Sequence, residues 1–390
     1  MTSPTPVTFT TGPVPSQSLA SGAAGIALLH IERALAGRGS WADAHTLIRQ
    51  AATGAIDGGD HAGLYHGVPA VAFTLHTADA DGRSRYAQAL ATLDQHVTRL
   101  ALRRLTAAND RIDAGEYARF SEYDLFYGLV GIGALLRVRH PGSDTFADVL
   151  RYLVRLTLPL RHDGVELPGW WVPHDPDPAL PTPGGHANLG MAHGAAGILA
   201  LLALAARDGH AVEGQDEAIR RLIGWFETWR QDSPDGPWWP QWLTRSMLRT
   251  GRPTQQAPGR PSWCYGSTGI VRALQLAALA TGDTARQRTA EQALPALLTG
   301  RNLARISEAG LCHGMAGLYQ TVSRVALDST DPALHRRLPE LAAALAHHDE
   351  QSELSDEGLL TGRAGVRLAL ESTRHAAPPH SGWDTCLLIT

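Results

Sequence analysis

The chain has 390 residues, a formal net charge of −4, 44% hydrophobic residues and no lysine, a balance that gives no electrostatic footprint for a phosphate backbone and excludes a nucleic-acid reader. Its three cysteines are too few for a disulfide scaffold and point to free thiols in a cytoplasmic protein. The longest apolar run falls well short of the ~20 residues that span a bilayer, and no basic region precedes the first apolar run, as a secretory signal requires.

Residues 1–17 read as a flexible N-terminal segment. Beyond them a repeated segment sets the organisation: a glycine, two further residues, a second glycine and an apolar run. In chain order the copies are SGAAGIALL from Ser21, YHGVPAVAF from Tyr65, FYGLVGIGALL from Phe126, AHGAAGILALL from Ala192, CYGSTGIVRAL from Cys264, CHGMAGLYQ from Cys312 and LTGRAGVRLAL from Leu360. The second copy is loose, with Ala70 at the second glycine position. The first glycines stand at 22, 67, 128, 194, 266, 314 and 362, a period of 45 to 72 residues. Such a period holds two helices and a variable connection and marks a repeat architecture.

The runs after the glycines, such as Ile198 to Ala206, are apolar nearly all round, as helices buried on every side are. Between them lie amphipathic stretches. In one, Tyr86, Leu90, Leu93, Val97 and Leu100 recur at helical spacing, so residues 75–122 read as mainly helical. Sheet signals are almost absent. The expected fold is an all-α toroid of seven helix hairpins, with inner and outer layers, in a single domain over 1–390. Closure is expected because the first and last repeats are as apolar as the rest, whereas open solenoids need polar caps. Two insertions, Leu167–Asn188 and Asp232–Trp263, are rich in Pro, Gly and Trp and read as ordered loops over one end of the ring.

Counted back from each first glycine, Cys264 and Cys312 both occupy position −2, and His313 occupies −1. Equivalent positions in a pseudo-symmetric ring lie at one height, so these residues, 48 apart in sequence, are expected to converge. Two thiolates and an imidazole suit Zn²⁺ and leave a fourth position open, as catalytic zinc does. The competing reading is two buried cysteines acting as small hydrophobes beside a core histidine. His193 also stands at −1, and a neutral imidazole near a metal is a candidate acid/base whose tautomer a carboxylate such as Asp124 could fix. Asp124 could equally be a helix N-terminal acid, and His66, at −1 of the second repeat, reads as a cap or packing residue. Arg260 could steady an oxyanion or be an ordinary loop arginine. Most of the 18 histidines, among them His45, His76, His347 and His348, read as solvated.

SWCYG (Ser262–Gly266), LCHG (Leu311–Gly314), NLGMAHGAAGI (Asn188–Ile198) and the terminal WDTCLLI (Trp383–Ile389) together resemble the lanthionine synthetase C-like family over essentially the whole chain. The resemblance implies an α/α toroid with one zinc held by Cys264, Cys312 and His313, His193 as acid/base, Asp124 as its partner and Arg260 as an active-site cation. It implies a cyclase that adds Cys thiols to dehydroalanine or dehydrobutyrine in a precursor peptide, with a dehydratase and an exporter as possible partners. Some relatives carry a small β-containing domain between early repeats, where this chain reads as helical. The length fits a stand-alone cyclase. Two rival readings remain: a zinc-containing peptide- or glutathione-binding scaffold, and a thiol prenyltransferase-like α/α barrel, which would add a carboxylate ligand and a partner subunit.

Overall fold

The computed structural model describes residues 16–390 apart from 163, 177–179, 235, 353, 355 and 376. The N-terminal segment expected to be flexible therefore lies outside the described residues, except at its end. There Gln17 is fixed, its amide donating to the Ala55 carbonyl at 2.7 Å and accepting from Asp57 N at 2.8 Å.

Thirteen long helices follow in chain order: α1 (Ala23–Leu35), α2 (Trp41–Ala51), α3 (Val68–Ala78), α4 (Ala87–Asp113), α5 (Leu129–Arg139), α6 (Asp144–Leu156), α7 (Ala195–Arg207), α8 (Gln215–Trp229), α9 (Ser267–Thr281), α10 (Thr284–Leu297), α11 (Met315–Asp328), α12 (Pro332–Gln351) and α13 (Arg363–Ser372). The odd-numbered helices are those that follow the glycine motifs. In α7 every residue from Ala195 to Ala205 is buried, which only a helix enclosed on all sides achieves. The even-numbered helices are amphipathic; α6 buries Phe146, Val149, Leu150, Leu153 and Leu156 along one stripe. Ser40, Ser143, Asp283 and Asp331 cap α2, α6, α10 and α12 through their side chains, whereas every odd helix starts at a residue without a side-chain cap, a glycine.

Each odd helix packs on the next, and α13 packs back on α1, so the inner layer closes into a ring with the even helices outside it. The closure extends to the backbone. Leu19 N donates to Tyr65 O, Tyr65 N to Phe126 O, Leu125 N to Ala192 O, Ala192 N to Cys264 O, Cys264 N to Cys312 O, Cys312 N to Leu360 O, and Leu360 N to Ala20 O, all at 2.9–3.3 Å. The residues at −2 thus form one continuous belt, so Cys264 and Cys312 are neighbours on it. The second glycine of the motif makes the belt possible. A Cβ on Gly317 would stand 1.8 Å from Leu311 O, and one on Gly269 2.2 Å from Trp263 O, six residues back in each case. The second repeat enters its helix through Gly67 at φ +71, unlike the extended glycines of the others. This altered entry accompanies Ala70 at the position where its equivalents need glycine.

After α13 no outer helix follows among the described residues, so seven inner helices are backed by six outer ones. The chain instead turns inward as the 3-10 helix Trp383–Leu387, every residue of which is buried. Tyr65 Oη donates to Cys386 O at 2.9 Å, Trp263 Nε1 to Leu387 O at 2.9 Å, and Arg272 Nε to Ile389 O at 2.8 Å. Asp384 accepts from Arg324 at 2.6 and 2.7 Å. A segment that meets the second, fifth and sixth repeats together lies on the ring axis, where it plugs one end.

Among the described residues, sheet is confined to three antiparallel pairs of short strands: β1 (Leu160–His162) with β2 (Val165–Leu167), β3 (His186–Asn188) with β6 (Trp242–Thr244), and β4 (Gln231–Ser233) with β5 (Gly236–Trp238). The β3–β6 pair joins the two insertions, and Leu189 N donates to Gln241 O beside it at 3.0 Å. Both loops therefore sit over one end of the ring, as their composition suggests. Residues 75–122, expected to be mainly helical, are dominated by the long helix α4.

Candidate active site

The belt places its −2 residues behind a mouth lined by the −1 residues. Ser21, His66, Tyr127, His193, Tyr265, His313 and Thr361 are all partly or well exposed, while Cys264 is buried. Cys264 and Cys312 precede α9 and α11 by a turn, so the positive ends of two helices lie beside the sulfurs and favour thiolate. Burial pushes the Cys264 thiol up, but the hydrogen bond from Cys312, the His313 and His193 imidazoles and the Ser262 hydroxyl, 3.8 Å away, bring it down to about 6. The same sulfur–sulfur hydrogen bond, with burial, pushes the Cys312 thiol well up.

His193 projects from the adjacent repeat. Its Nδ1 stands 2.7 Å from Asp124 Oδ2, and Asp124 is fully buried. The other carboxylate oxygen accepts from Tyr127 N at 2.7 Å and Gly128 N at 2.9 Å. Asp124 therefore does both things its sequence position allows: it satisfies backbone donors at the start of α5, and it orients the imidazole. The His193 ring stacks on Phe120 at 5.0 Å and leans on Phe126 and Tyr265 at 4.9 and 5.7 Å. These contacts leave the ring little rotational freedom.

A model of the family described as "Lanthionine synthetase C-like protein" matches residues 13–388. The chain belongs to that family. Among curated proteins, nisin biosynthesis protein NisC of Lactococcus lactis subsp. lactis is 24% identical over 213 residues, 53% of this chain and 49% of that protein; the alignment spans about half the length of the relative. Among solved structures, nisin cyclase superposes with a TM-score of 0.81 at 21% identity, covering 97% of this chain and 93% of that one. The fold is thus that of the cyclase, an α/α toroid.

Not every expected residue of this family member converges. The donors of Cys264, Cys312 and His313 do not all lie within 4.8 Å of one another, a closeness that among the described residues only Asp57, His61 and His66 reach. His313 is turned toward Glu308, its Nδ1 2.8 Å from Oε2, close enough to orient the ring although the angle makes no hydrogen bond. Glu308 also accepts from Arg260 at 3.1 Å, and His313 and Arg260 together hold its carboxyl below the usual range against partial burial. Arg260 is therefore at the mouth but paired.

Glu308 and Phe120 escaped the sequence reading. For Glu308 a signal existed: it stands at −6 of the sixth repeat, where Arg260 stands in the fifth. Phe120 lies in the short helix Phe120–Tyr123, outside the repeat register, and nothing in the spacing marks it. Cys386, on the axial plug, is fully buried and its thiol is pushed up by burial. Of the histidines expected to be solvated, His45 is exposed, whereas His76 is half-buried and burial brings its imidazole down to about 4.

Proposed function

We propose that the chain is a stand-alone zinc-dependent lanthipeptide cyclase, a carbon–sulfur bond-forming enzyme of the lyase class. It adds Cys thiols of a precursor peptide to dehydroalanine or dehydrobutyrine and so closes (methyl)lanthionine thioether rings. The observation that carries the reading is the oriented His193–Asp124 pair next to the neighbouring cysteines Cys264 and Cys312, at the open mouth of a closed toroid. Family membership and the nisin cyclase fold support it.

Cys264, Cys312 and His313 would hold one zinc. The donor chemistry fits, because one sulfur is already disposed to be thiolate and two sulfurs with one nitrogen are a zinc set. With Nδ1 at the Glu308 carboxylate, Nε2 would be the His313 nitrogen left for the metal. When bound, the metal lowers the pKa of a substrate thiol so that it attacks as thiolate at neutral pH.

The remaining work falls to the chain's own residues. Asp124 accepts the Nδ1 proton of His193 and fixes the tautomer in which Nε2 exchanges protons with substrate. The sulfur forms a bond to the β-carbon, the π electrons of the dehydro residue move toward the carbonyl, and negative charge builds on its oxygen. Arg260 offers a cation there, and Glu308 sets where it sits. A proton delivered from His193 Nε2 to the α-carbon replaces the one lost by the thiol. The product is an isomer of the linear peptide. The aromatic wall of Phe120, Phe126 and Tyr265 keeps the imidazole in place and presents an apolar face to the peptide.

The test is to incubate the purified protein with a dehydrated, Cys-containing peptide and no diphosphate cosubstrate. Expected is loss of alkylatable thiol at unchanged peptide mass, faster than in an enzyme-free control. Binding without thiol loss would instead establish a scaffold, and thiol loss only with a prenyl diphosphate would establish a prenyltransferase. The protein is expected in the cytoplasm, where dehydrated precursor and reduced thiols coexist; among the described residues no helix is long and apolar enough to cross a membrane.

A further inference from the structure

Diametrically across the seven-membered ring from Cys264 and Cys312, the loop before α3 gathers Asp57, His61 and His66. Their potential ligand atoms lie within 4.8 Å of one another. Both imidazoles address one oxygen: His61 Nε2 stands 2.6 Å and His66 Nε2 3.2 Å from Asp57 Oδ2. Bonds of ~2.0–2.2 Å around one metal ion place adjacent donors roughly 3 Å apart, so these separations are already close to the edges of a coordination polyhedron.

The loop is built to keep them there. Asp57 Oδ1 is occupied by Gly59 N at 2.8 Å, which leaves Oδ2 as the free carboxylate oxygen. The Asp57 backbone is tied at both ends, N–H to Gln17 at 2.8 Å and carbonyl to Val68 N at 2.7 Å. His66 is held by reciprocal backbone hydrogen bonds with Gly63 at 3.0 Å, and Arg103 donates to Gly58 O at 3.1 Å. The two imidazoles stack at 6.1 Å with planes 24° apart. His66 belongs to the ring of −1 residues, as do His193 and His313, so the cluster faces the same mouth. The His61 side chain is 76% exposed, which gives an ion an entry path and leaves its other coordination positions to water.

We propose that Asp57, His61 and His66 form a second metal site, a two-histidine, one-carboxylate set for a borderline divalent transition ion such as Zn²⁺, Co²⁺ or Ni²⁺. Imidazole nitrogens select this class over Mg²⁺ and Ca²⁺, which take all-oxygen sets. Having no thiolate, the site binds more weakly than the sulfur-bearing one and fills after it.

Cobalt(II) distinguishes the two, because only a thiolate-bound ion shows a sulfur-to-metal charge-transfer band. Protein already loaded with one zinc is titrated with Co²⁺ while visible spectra are recorded. Expected is one further equivalent with ligand-field bands and no charge-transfer band. His61→Ala, an exposed substitution that leaves packing intact, should weaken this equivalent by at least the ~10–100-fold that loss of an outer-sphere partner costs. Cys264→Ala, Cys312→Ala protein should keep it. No further equivalent in the zinc-loaded protein, or one that His61→Ala leaves unchanged, would overturn the proposal. Neither result bears on thioether formation, which is read separately by thiol loss.

Discussion

Two sides of the mouth carry metal-capable side chains, and they are built in opposite ways. On one side Cys264, Cys312, His313, Arg260 and Glu308 all occupy fixed offsets from the repeat glycines, so the sequence period brings them together. Yet their donors are not fully gathered, and the His313 ring is engaged by Glu308. On the other side Asp57 and His61 belong to no repeat offset, but backbone hydrogen bonds in one loop bring them and His66 to near-coordination distances. Repeat symmetry thus sets which residues share a neighbourhood, while local backbone chemistry sets how far their donors stand from each other. The sulfur side can be read from spacing and the loop side only from the fold.

The sharpest way to break this comparison is to remove the sulfurs. In a His61→Ala background, which disables the loop site, Cys264→Ala, Cys312→Ala protein should fall from one zinc per chain to none by elemental analysis. Full zinc retention would place the ion elsewhere. Next in size is His193→Ala, which should keep zinc, because the ligands lie in other repeats, yet lose ring formation by ~10²-fold or more, the scale of a general acid/base. Loss of zinc in that variant would make His193 a ligand and redraw the sulfur side.

Two smaller effects sharpen the comparison. Glu308→Gln should free Arg260 and remove the carboxylate behind His313, lowering zinc affinity by ~10–100-fold, as loss of an outer partner does; a chelator competition measures it. Unchanged affinity would mean that Glu308 restrains His313 without supporting it. Asp124→Asn should impair initial cyclisation rates less than His193→Ala, because the amide retains an acceptor for the Tyr127 and Gly128 N–H groups and some hold on His193. An Asp124 variant more damaged than the His193 one would make Asp124 the principal proton carrier.

Much of the architecture was legible because it is written in glycine. The clash between a Cβ at Gly317 or Gly269 and the carbonyl six residues back forces glycine at those crossings of the belt; that period gave the repeat and the height of the site, and the apolar end repeats gave the closure. The exception at Ala70 follows from the different entry through Gly67. What spacing could not give was anything fixed by long-range contact. The axial plug replaces a seventh outer helix, yet its anchors on Tyr65, Trp263 and Arg272 depend on the ring already being closed. The short strands that join the two insertions hold only three residue pairs, too few for alternation to show. Asp124 gave two readings from sequence because one carboxylate has two oxygens, and each serves one of them.

The most direct test of the central claim, that the sulfur-bearing side of the mouth is where thioether rings are made, is the initial rate of thiol loss from a dehydrated peptide. It is compared for zinc-loaded protein, the Cys264→Ala, Cys312→Ala variant and an enzyme-free control. The prediction is a rate well above control for the intact protein and the control rate for the variant. A variant that closes rings as fast as the intact protein would contradict the account.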